Sequence, residues 1–286
     1  MKTGLVLEGG ACKGIFTAGV LDCWMQKGVY FPYVVSVSAG TCNAYDYLSD
    51  QYERTRRCMN PQNKRDRYFG LSRLIKTGHI FDLNRVFEEY PYKQFPFDMQ
   101  TYFKSPIVNE IVVTNCRTGE AEYMVEKEDE KRLLLIGKAS SSIPLLADMV
   151  KVNGEYYLDG GLADSIPIER AFREGCDKIV VILTHNKGYI PGIPKNIHIL
   201  YDRKYRSYPN LLKTIYNRPE MYREELKLLE KYTKEGKALV IIPEQKAVKR
   251  LEKDAKKLDD YYYHGYQTAE DRYEELIKFM GGNEDL

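Results

Sequence analysis

The stretch YVVSVSAG at residues 33–40 decides the fold, because an apolar run here leads directly into a turn of small residues. Residues 33–37 predict a buried strand, and residues 41–49 predict a helix. A strand that turns sharply into a helix can expose the hydroxyl of a serine at the turn. Ser38 stands there, with Ser36 and Gly40 as small neighbours. Ser38 is therefore a candidate nucleophile, and a serine that only caps the helix is the alternative.

A second turn of small residues, GGACKG, occupies residues 9–14. It lies between a predicted strand and a predicted helix, so its backbone amides can bind an anion. A dinucleotide-binding loop would need glycine where Ala11 stands, and an acidic residue about 20 positions later. The chain has Ser38 near that point instead. We interpret the loop as a source of donors for an oxyanion, with a sharp turn that binds nothing as the alternative.

The third feature is Asp159, which follows a predicted hairpin strand and precedes Gly160 and Gly161. Residues 149–152 and 155–158 form the hairpin, with Asn-Gly at its turn. Burial beside an acyl chain would raise the proton affinity of this carboxyl group, which makes Asp159 a candidate base. A simple Asp-Gly-Gly turn is the alternative.

Histidine is the other residue type that could act as the base. His185 is the serious candidate, because it follows the predicted strand at residues 178–183, at a strand end where sites form. We expect the other three, His79, His198 and His264, to be structural or to face solvent.

Taken in order, these three features resemble the patatin-like phospholipase family. The glycine loop from Glu8 to Gly14, the elbow around Ser38 and the Asp159-Gly160-Gly161 motif match that family's pattern. The resemblance covers roughly residues 3–200 and implies a Ser38–Asp159 dyad without histidine. It also implies an oxyanion hole from the amides of Gly9, Gly10 and Ala11, and lipid acyl hydrolysis without a metal or another cofactor.

The chain departs from the family pattern at three positions. Ala11 replaces a loop glycine, which would matter if that residue needs a positive φ. Ser36 replaces the first glycine of the elbow, where its side chain could crowd the turn. Lys13 replaces the commoner arginine, so it keeps the positive charge near the loop but not the planar fork.

Composition narrows the class of protein. The net charge of +2 gives no general attraction to nucleic acid, and no apolar run approaches the ~20 residues of a membrane helix. The six cysteines are scattered without a C-x-x-C pair, and no apolar leader follows Met1, so we expect a cytoplasmic protein. The basic stretch at residues 54–67 is a candidate contact with anionic headgroups, but we favour a solvated loop.

These patterns predict a three-layer α/β/α sandwich with a mostly parallel central sheet. Residues 1–200 would form the catalytic domain, and residues 201–286 a helical C-terminal extension packed on its core. A short strand is expected at residues 197–200, and helical pieces at residues 71–87. The predicted function is a serine lipid acyl hydrolase of phospholipase A, lysophospholipase or esterase type.

Three alternatives remain open at this point. The first is an esterase or thioesterase that pairs Ser38 with His185. The second is a lipid-binding module that kept the fold and lost turnover through Ala11 and Ser36. The third and weakest is nucleotide binding at the glycine loop.

Overall fold

The computed structural model of this chain describes residues 1–70, 75 and 80–281. The strands are β1 (Thr3–Leu7), β2 (Tyr33–Val37), β3 (Val108–Asn115), β4 (Ala121–Met124), β5 (Val150–Val152), β6 (Glu155–Asp159), β7 (Lys178–Ile182) and β8 (Ala238–Ile241). The α-helices are α1 (Gly14–Gln26), α2 (Ala39–Leu48), α3 (Arg54–Met59), α4 (Met99–Lys104), α5 (Glu130–Ser140), α6 (Ile168–Arg173), α7 (His198–Lys204), α8 (Pro209–Lys234), α9 (Ala255–Asp271) and α10 (Tyr273–Met280).

The eight strands form one sheet in the order β5-β6-β3-β2-β1-β7-β8, and β4 pairs with β3 off this path. The neighbouring strands β3, β2, β1, β7 and β8 are parallel. Strands β4 and β6 run antiparallel to β3, and β5 pairs antiparallel with β6. Ligand sites of such sheets lie outside the carboxyl ends of the parallel strands. The ends of β1, β2 and β7 therefore mark the edge where a site is expected.

Side chains of the central strands alternate between two apolar cores. Leu5 and Leu7 of β1 face the core that α1, α2 and α9 cover, whereas Val6 faces the core that α6 and α8 cover. This alternation follows from the two-residue period of a strand. Strands buried on both faces need helices on both sides, so the predicted three-layer sandwich is confirmed.

The C-terminal part of the chain packs on both faces of the sheet. Helix α8 packs beside α6, α9 packs along α1, and β8 joins the sheet beside β7. The contact between α1 and α9 is close, because Gly19 of α1 lies against the backbone of α9 and Gly265 of α9 lies against the backbone of α1. A Cβ on Gly19 would lie 2.0 Å from the Tyr262 carbonyl oxygen, and one on Gly265 would lie 2.1 Å from the Phe16 carbonyl oxygen.

Two local predictions were wrong. Residues 197–200 lie in a helical segment, because α7 begins at His198. The basic stretch is not simply a solvated loop, since α3 forms within it and Arg54 is only 8% exposed. Arg54 binds the buried Asp46 at 2.7 Å, because an arginine inside a protein needs a charged partner.

The prediction of helical pieces at residues 71–87 falls partly outside the described residues, and His79 lies outside them. Its described end holds a single π-helical turn at Arg85–Glu89. Over the ranges that the structure describes, no helix is both long and apolar enough to cross a membrane.

Candidate active site

Ser38 lies on a sharp turn between β2 and α2. Its backbone angles are φ 54° and ψ −117°, which a residue with a side chain rarely adopts. Strain of this kind persists only where the surrounding structure holds it, and it is common at functional sites. Here the Ser38 carbonyl accepts from the amide of Thr41 at 2.9 Å, and the Ser38 amide donates to Ser140 Oγ at 2.9 Å.

Different contacts explain the two small neighbours of Ser38. A Cβ on Gly40 would lie 2.6 Å from the Leu7 carbonyl oxygen, so only glycine lets α2 pass this close to β1. The buried side chain of Ser36 turns toward β3 and donates to Asn109 Oδ1 at 3.0 Å. Ser36 therefore does not crowd the turn.

The glycine loop lies directly against Ser38. A Cβ on Gly9 would lie 2.9 Å from the Ser38 Cβ, so this position also needs glycine. Ala11 has φ 51°, which means that the replacement for the family's glycine adopts the left-handed conformation. Within the described part of the chain, no hydrogen bond engages the amides of Gly9 and Gly10. These amides are available as donors.

The register of the sheet brings Asp159 to the same place. Val37 pairs with Val112 across β2 and β3, and Asp159 pairs with the next residue, Val113, across β3 and β6. Ser38 and Asp159 therefore leave their strands at the same level. Close backbone contact also explains Gly160, since a Cβ there would lie 2.2 Å from the Val112 carbonyl oxygen.

The environment of Asp159 changes its acidity. Burial raises the pKa of this carboxyl group, against the hydrogen bond from Ser38 and the positive charges of Arg218 and Arg250. Asp159 Oδ1 also accepts from the Gly161 amide at 2.9 Å, which fixes the carboxyl group beside the turn. A raised pKa makes Asp159 a better proton acceptor than an exposed aspartate.

His185 also lines the cleft, but its ring is held by other partners. His185 Nδ1 lies 2.7 Å from Glu8 Oε1, and the ring stacks on Tyr189 at 3.8 Å between centroids. Glu8 also accepts from the Tyr222 hydroxyl at 2.7 Å and from the Thr184 amide at 2.6 Å. Burial alone would raise the pKa of Glu8, but these partners bring it below its usual value.

Lys13 lies at the end of the glycine loop, one residue before α1. Its ammonium group stands 5.0 Å from the centre of the Tyr189 ring. Burial and the positive charge of Arg250 lower its pKa, while Glu8 acts in the opposite direction. Lys13 lies next to the loop but does not line the cleft itself.

Two hollows meet at Ser38. One is a polar cleft of about 510 Å³, which Asp159, the glycine loop and His185 line together with Ser38. The other is an apolar pocket of about 800 Å³ between α2, α3 and the segment around Phe87. Ser38, Ala11 and Ile143 line both hollows. An acyl chain in the pocket would place its ester carbonyl in the cleft.

Sequence reasoning missed three residues of this site. Ser140 binds the Ser38 amide, and its only signal was the Ser140–Pro144 run that also occurs in the family pattern. Arg218 and Arg250 line the cleft from the C-terminal part of the chain. No motif surrounds either arginine, so no pattern in the sequence could have found them.

The described residues include no group of three or more His, Cys, Asp or Glu side chains that could hold a metal ion. The six cysteines are all free thiols. What the cleft offers is a hydroxyl, a buried carboxyl group, unengaged backbone amides and two guanidinium groups. That set suits attack on a carbonyl carbon and stabilisation of the oxyanion that results.

Comparison with known proteins gives two family matches. The family model described as Patatin-like phospholipase matches residues 5–172. A second model, described as a domain of unknown function (DUF6363), matches residues 208–281.

Two individual proteins are similar to this chain. The uncharacterized protein YjjU of Escherichia coli (strain K12) is 31% identical over 188 residues, which are 64% of this chain and 52% of YjjU. The match thus spans about half the length of this curated relative. The crystal structure of VipD from Legionella pneumophila superposes with a TM-score of 0.55 at 14% identity, over 96% of this chain and 67% of VipD. At that identity the likeness concerns the fold alone.

Proposed function

Because the chain belongs to the patatin-like phospholipase family, we propose that it is a serine hydrolase of lipid acyl esters, with Ser38 as nucleophile and Asp159 as base. The observation that carries this proposal is the position of Ser38. It lies between an apolar pocket and a polar cleft that also holds Asp159 and unengaged amides.

The first half of the reaction forms an acyl-enzyme. Asp159 takes the proton of Ser38 as Ser38 Oγ bonds to the carbonyl carbon of the ester. The bond between that carbon and the alcohol oxygen then breaks, and Asp159 returns the proton to the leaving alcohol. In the second half, Asp159 takes a proton from water as the water oxygen bonds to the acyl carbon. The bond from that carbon to Ser38 Oγ then breaks, and Asp159 returns the proton to Ser38 as the fatty acid leaves.

The glycine loop stabilises the charge that develops on the carbonyl oxygen. The amides of Gly9, Gly10 and Ala11 are the proposed donors, and one such donor is typically worth about 10²–10³ in rate. Asp159 suits the role of base, because burial raises its pKa and because it lines the same cleft as Ser38. Lys13 supports the loop electrostatically from outside the cleft.

Covalent labelling tests the assignment most directly. A fluorophosphonate probe should label the wild-type protein on the peptide that contains Ser38, and Ser38→Ala should abolish both labelling and hydrolysis of a short-chain nitrophenyl ester. Ser207→Ala is a matched control, because Ser207 is exposed and outside both hollows. Equal hydrolysis by purified Ser38→Ala protein would refute the proposal, and lipid binding without labelling would favour a non-catalytic module.

One observation favours a second candidate, in which His185 is the base. Glu8 holds His185 Nδ1 at 2.7 Å, as the acid of a catalytic triad holds its histidine. We favour Asp159, because the Ser38 side chain acts on the acidity of Asp159, whereas His185 Nδ1 is held by Glu8. Asp159→Asn and His185→Gln separate the two candidate bases.

The proposed substrates are phospholipids, lysophospholipids or simpler acyl esters, reached by peripheral contact with a membrane surface. Two arginines of the basic stretch at residues 54–67, the candidate contact with headgroups, are engaged within the protein. Arg54 binds Asp46, and Arg56 binds Glu53 and Asp259. Any membrane contact of α3 therefore rests on its remaining positive charges. A cytoplasmic location stays a prediction.

A further inference from the structure

Two arginines line the cleft without a carboxylate partner. Among the residues that the structure describes, neither Arg218 nor Arg250 forms an ion pair. Arg223, on the same helix α8 as Arg218, is by contrast paired with Glu220. An unpaired guanidinium group in a cleft is a ready site for an anion, because its planar fork matches carboxylate and phosphate oxygens.

The two arginines reach the cleft from different parts of the chain. Arg218 Nε donates to the Gly161 carbonyl oxygen at 2.5 Å, so Arg218 lies beside the turn that carries Asp159. The backbone carbonyl of Arg250 accepts from the Cys12 amide at 3.3 Å, so Arg250 lies beside the glycine loop. Both residues line the same cleft as Ser38. An anion bound by them would therefore lie in the cleft that holds Ser38.

The positive charges of Arg218 and Arg250 affect the pKa values of neighbouring groups. Both arginines act against the rise in the pKa of Asp159, and both contribute to the fall in the pKa of Lys13. Arg250 is exposed and Arg218 is partly exposed, so the charge is open to an incoming molecule. Glu8 also lines the cleft, but His185, Tyr222 and Thr184 already engage its carboxylate.

We propose that Arg218 and Arg250 select acyl esters that carry a phosphate group within a few bonds of the ester carbonyl. This inference rests on the proposed function, because it assigns the group that enters the cleft while the acyl chain enters the apolar pocket. It also gives the region matched by DUF6363 a role, since residues 208–281 supply both guanidinium groups. They would be specificity-determining residues rather than catalytic residues.

A matched pair of substrates tests the proposal. Octanoylglycerol phosphate and octanoylglycerol, both below their micelle-forming concentrations, differ only in the phosphate. Wild-type protein should prefer the phosphorylated ester in kcat/KM. Arg250→Gln should reduce that preference by about tenfold, the effect expected for a charge-assisted hydrogen bond worth roughly 1.4 kcal/mol. Any effect of the lost charge on Asp159 falls on both esters alike, so it cancels in the ratio of the two kcat/KM values.

Further variants separate specificity from structure. Arg218→Lys keeps the charge and should lose less of the preference than Arg218→Gln, whereas Arg223→Gln on the same helix should lose none. An unchanged ratio of the two kcat/KM values in Arg250→Gln would overturn the inference, even with full hydrolysis of both esters. Absence of hydrolysis in the wild-type protein would instead overturn the proposed function.

Inorganic phosphate distinguishes a substrate group from a free ion. It should inhibit hydrolysis of octanoylglycerol phosphate competitively, and Arg250→Gln should weaken that inhibition by about the same tenfold factor. Inhibition or activation by phosphate that does not compete with the phosphorylated ester would overturn the proposal, because the arginines would then bind an effector.

Discussion

The polar cleft and the apolar pocket share Ser38, yet they are built by different means. The cleft is made of backbone turns, fixed charges and hydrogen bonds, and its residues come from widely separated parts of the chain. The pocket is made mainly of packed aromatic and aliphatic side chains from α2, α3 and the segment around Phe87. In the proposed reaction, the cleft lowers the barrier and the pocket holds the substrate.

This difference predicts two kinds of mutational effect. Displacing Ser38 or Asp159 in the cleft should lower turnover for every substrate, because the transition state depends on both groups. A change in the pocket should act in proportion to the apolar surface that the acyl chain buries. Effects should therefore be large and uniform at these two residues of the cleft, and smaller and dependent on chain length in the pocket.

The largest effect is expected at Asp159. Asp159→Asn keeps the shape of the side chain and removes the proton acceptor, so kcat on a short-chain nitrophenyl ester should fall about 10²–10⁴-fold. His185→Gln can still bind Glu8, so its loss should be far smaller. If His185→Gln were as inactive as Asp159→Asn, the histidine mechanism would replace the one proposed.

The pH dependence of the wild-type enzyme sharpens the same comparison. The pKa of Asp159 is raised above its ordinary value of 3.8, and the base must be deprotonated to act. Activity should therefore be full above the raised pKa and should fall as the pH decreases through it. A pH–rate profile on a neutral ester measures this limb. An acid limb at or below 3.8 would contradict the role of burial at Asp159.

A smaller and selective effect is expected in the pocket. Val86→Phe adds a ring to the pocket wall, so decanoyl esters should lose about 10- to 100-fold in kcat/KM, at roughly 0.8 kcal/mol for each methylene excluded. Butyryl esters should be nearly unaffected. Val125→Phe is a control, because Val125 is 40% exposed and lies outside the pocket. Equal losses on both esters would show that the pocket does not hold the acyl chain.

The smallest effect is expected at Ala11. Its φ of 51° costs roughly 1 kcal/mol for a residue with a side chain, so Ala11→Gly should raise the free energy of unfolding by up to about 1 kcal/mol and keep turnover. Denaturant titration measures this change. Ala163→Gly is the matched control, because Ala163 has φ −105° and should lose stability. A loss of stability in Ala11→Gly would contradict the strained geometry of the loop.

Local signals in the sequence predicted the layers of the fold, and the resemblance to a known family predicted the meeting of the three motifs. Short apolar runs placed β1 and β2, and small residues marked the turns beside Ser38 and Asp159. The family assignment was also confirmed. The roles of the site residues and the division at residue 200 stay predictions.

The sequence patterns failed where contacts between residues far apart in the chain determine the structure. The helical charged pattern after residue 203 gave no sign that Arg218 and Arg250 reach the cleft, since that depends on how α8 and the segment before α9 pack. Arg54 looked like a surface charge, and only its buried partner Asp46 explains its position. At residues 197–200, short apolar character alone could not separate a strand from a helix.

The glycines at the contact between α1 and α9 determine how a substitution at that contact would affect the candidate site. Helix α1 starts where the glycine loop ends, so any displacement at Gly19 moves the residues that carry the proposed oxyanion donors. A methyl group added at Gly265 would collide with Phe16 on the far side of the sheet from α8. A substitution at Gly265, remote from Ser38, would therefore act on the proposed oxyanion donors through α1.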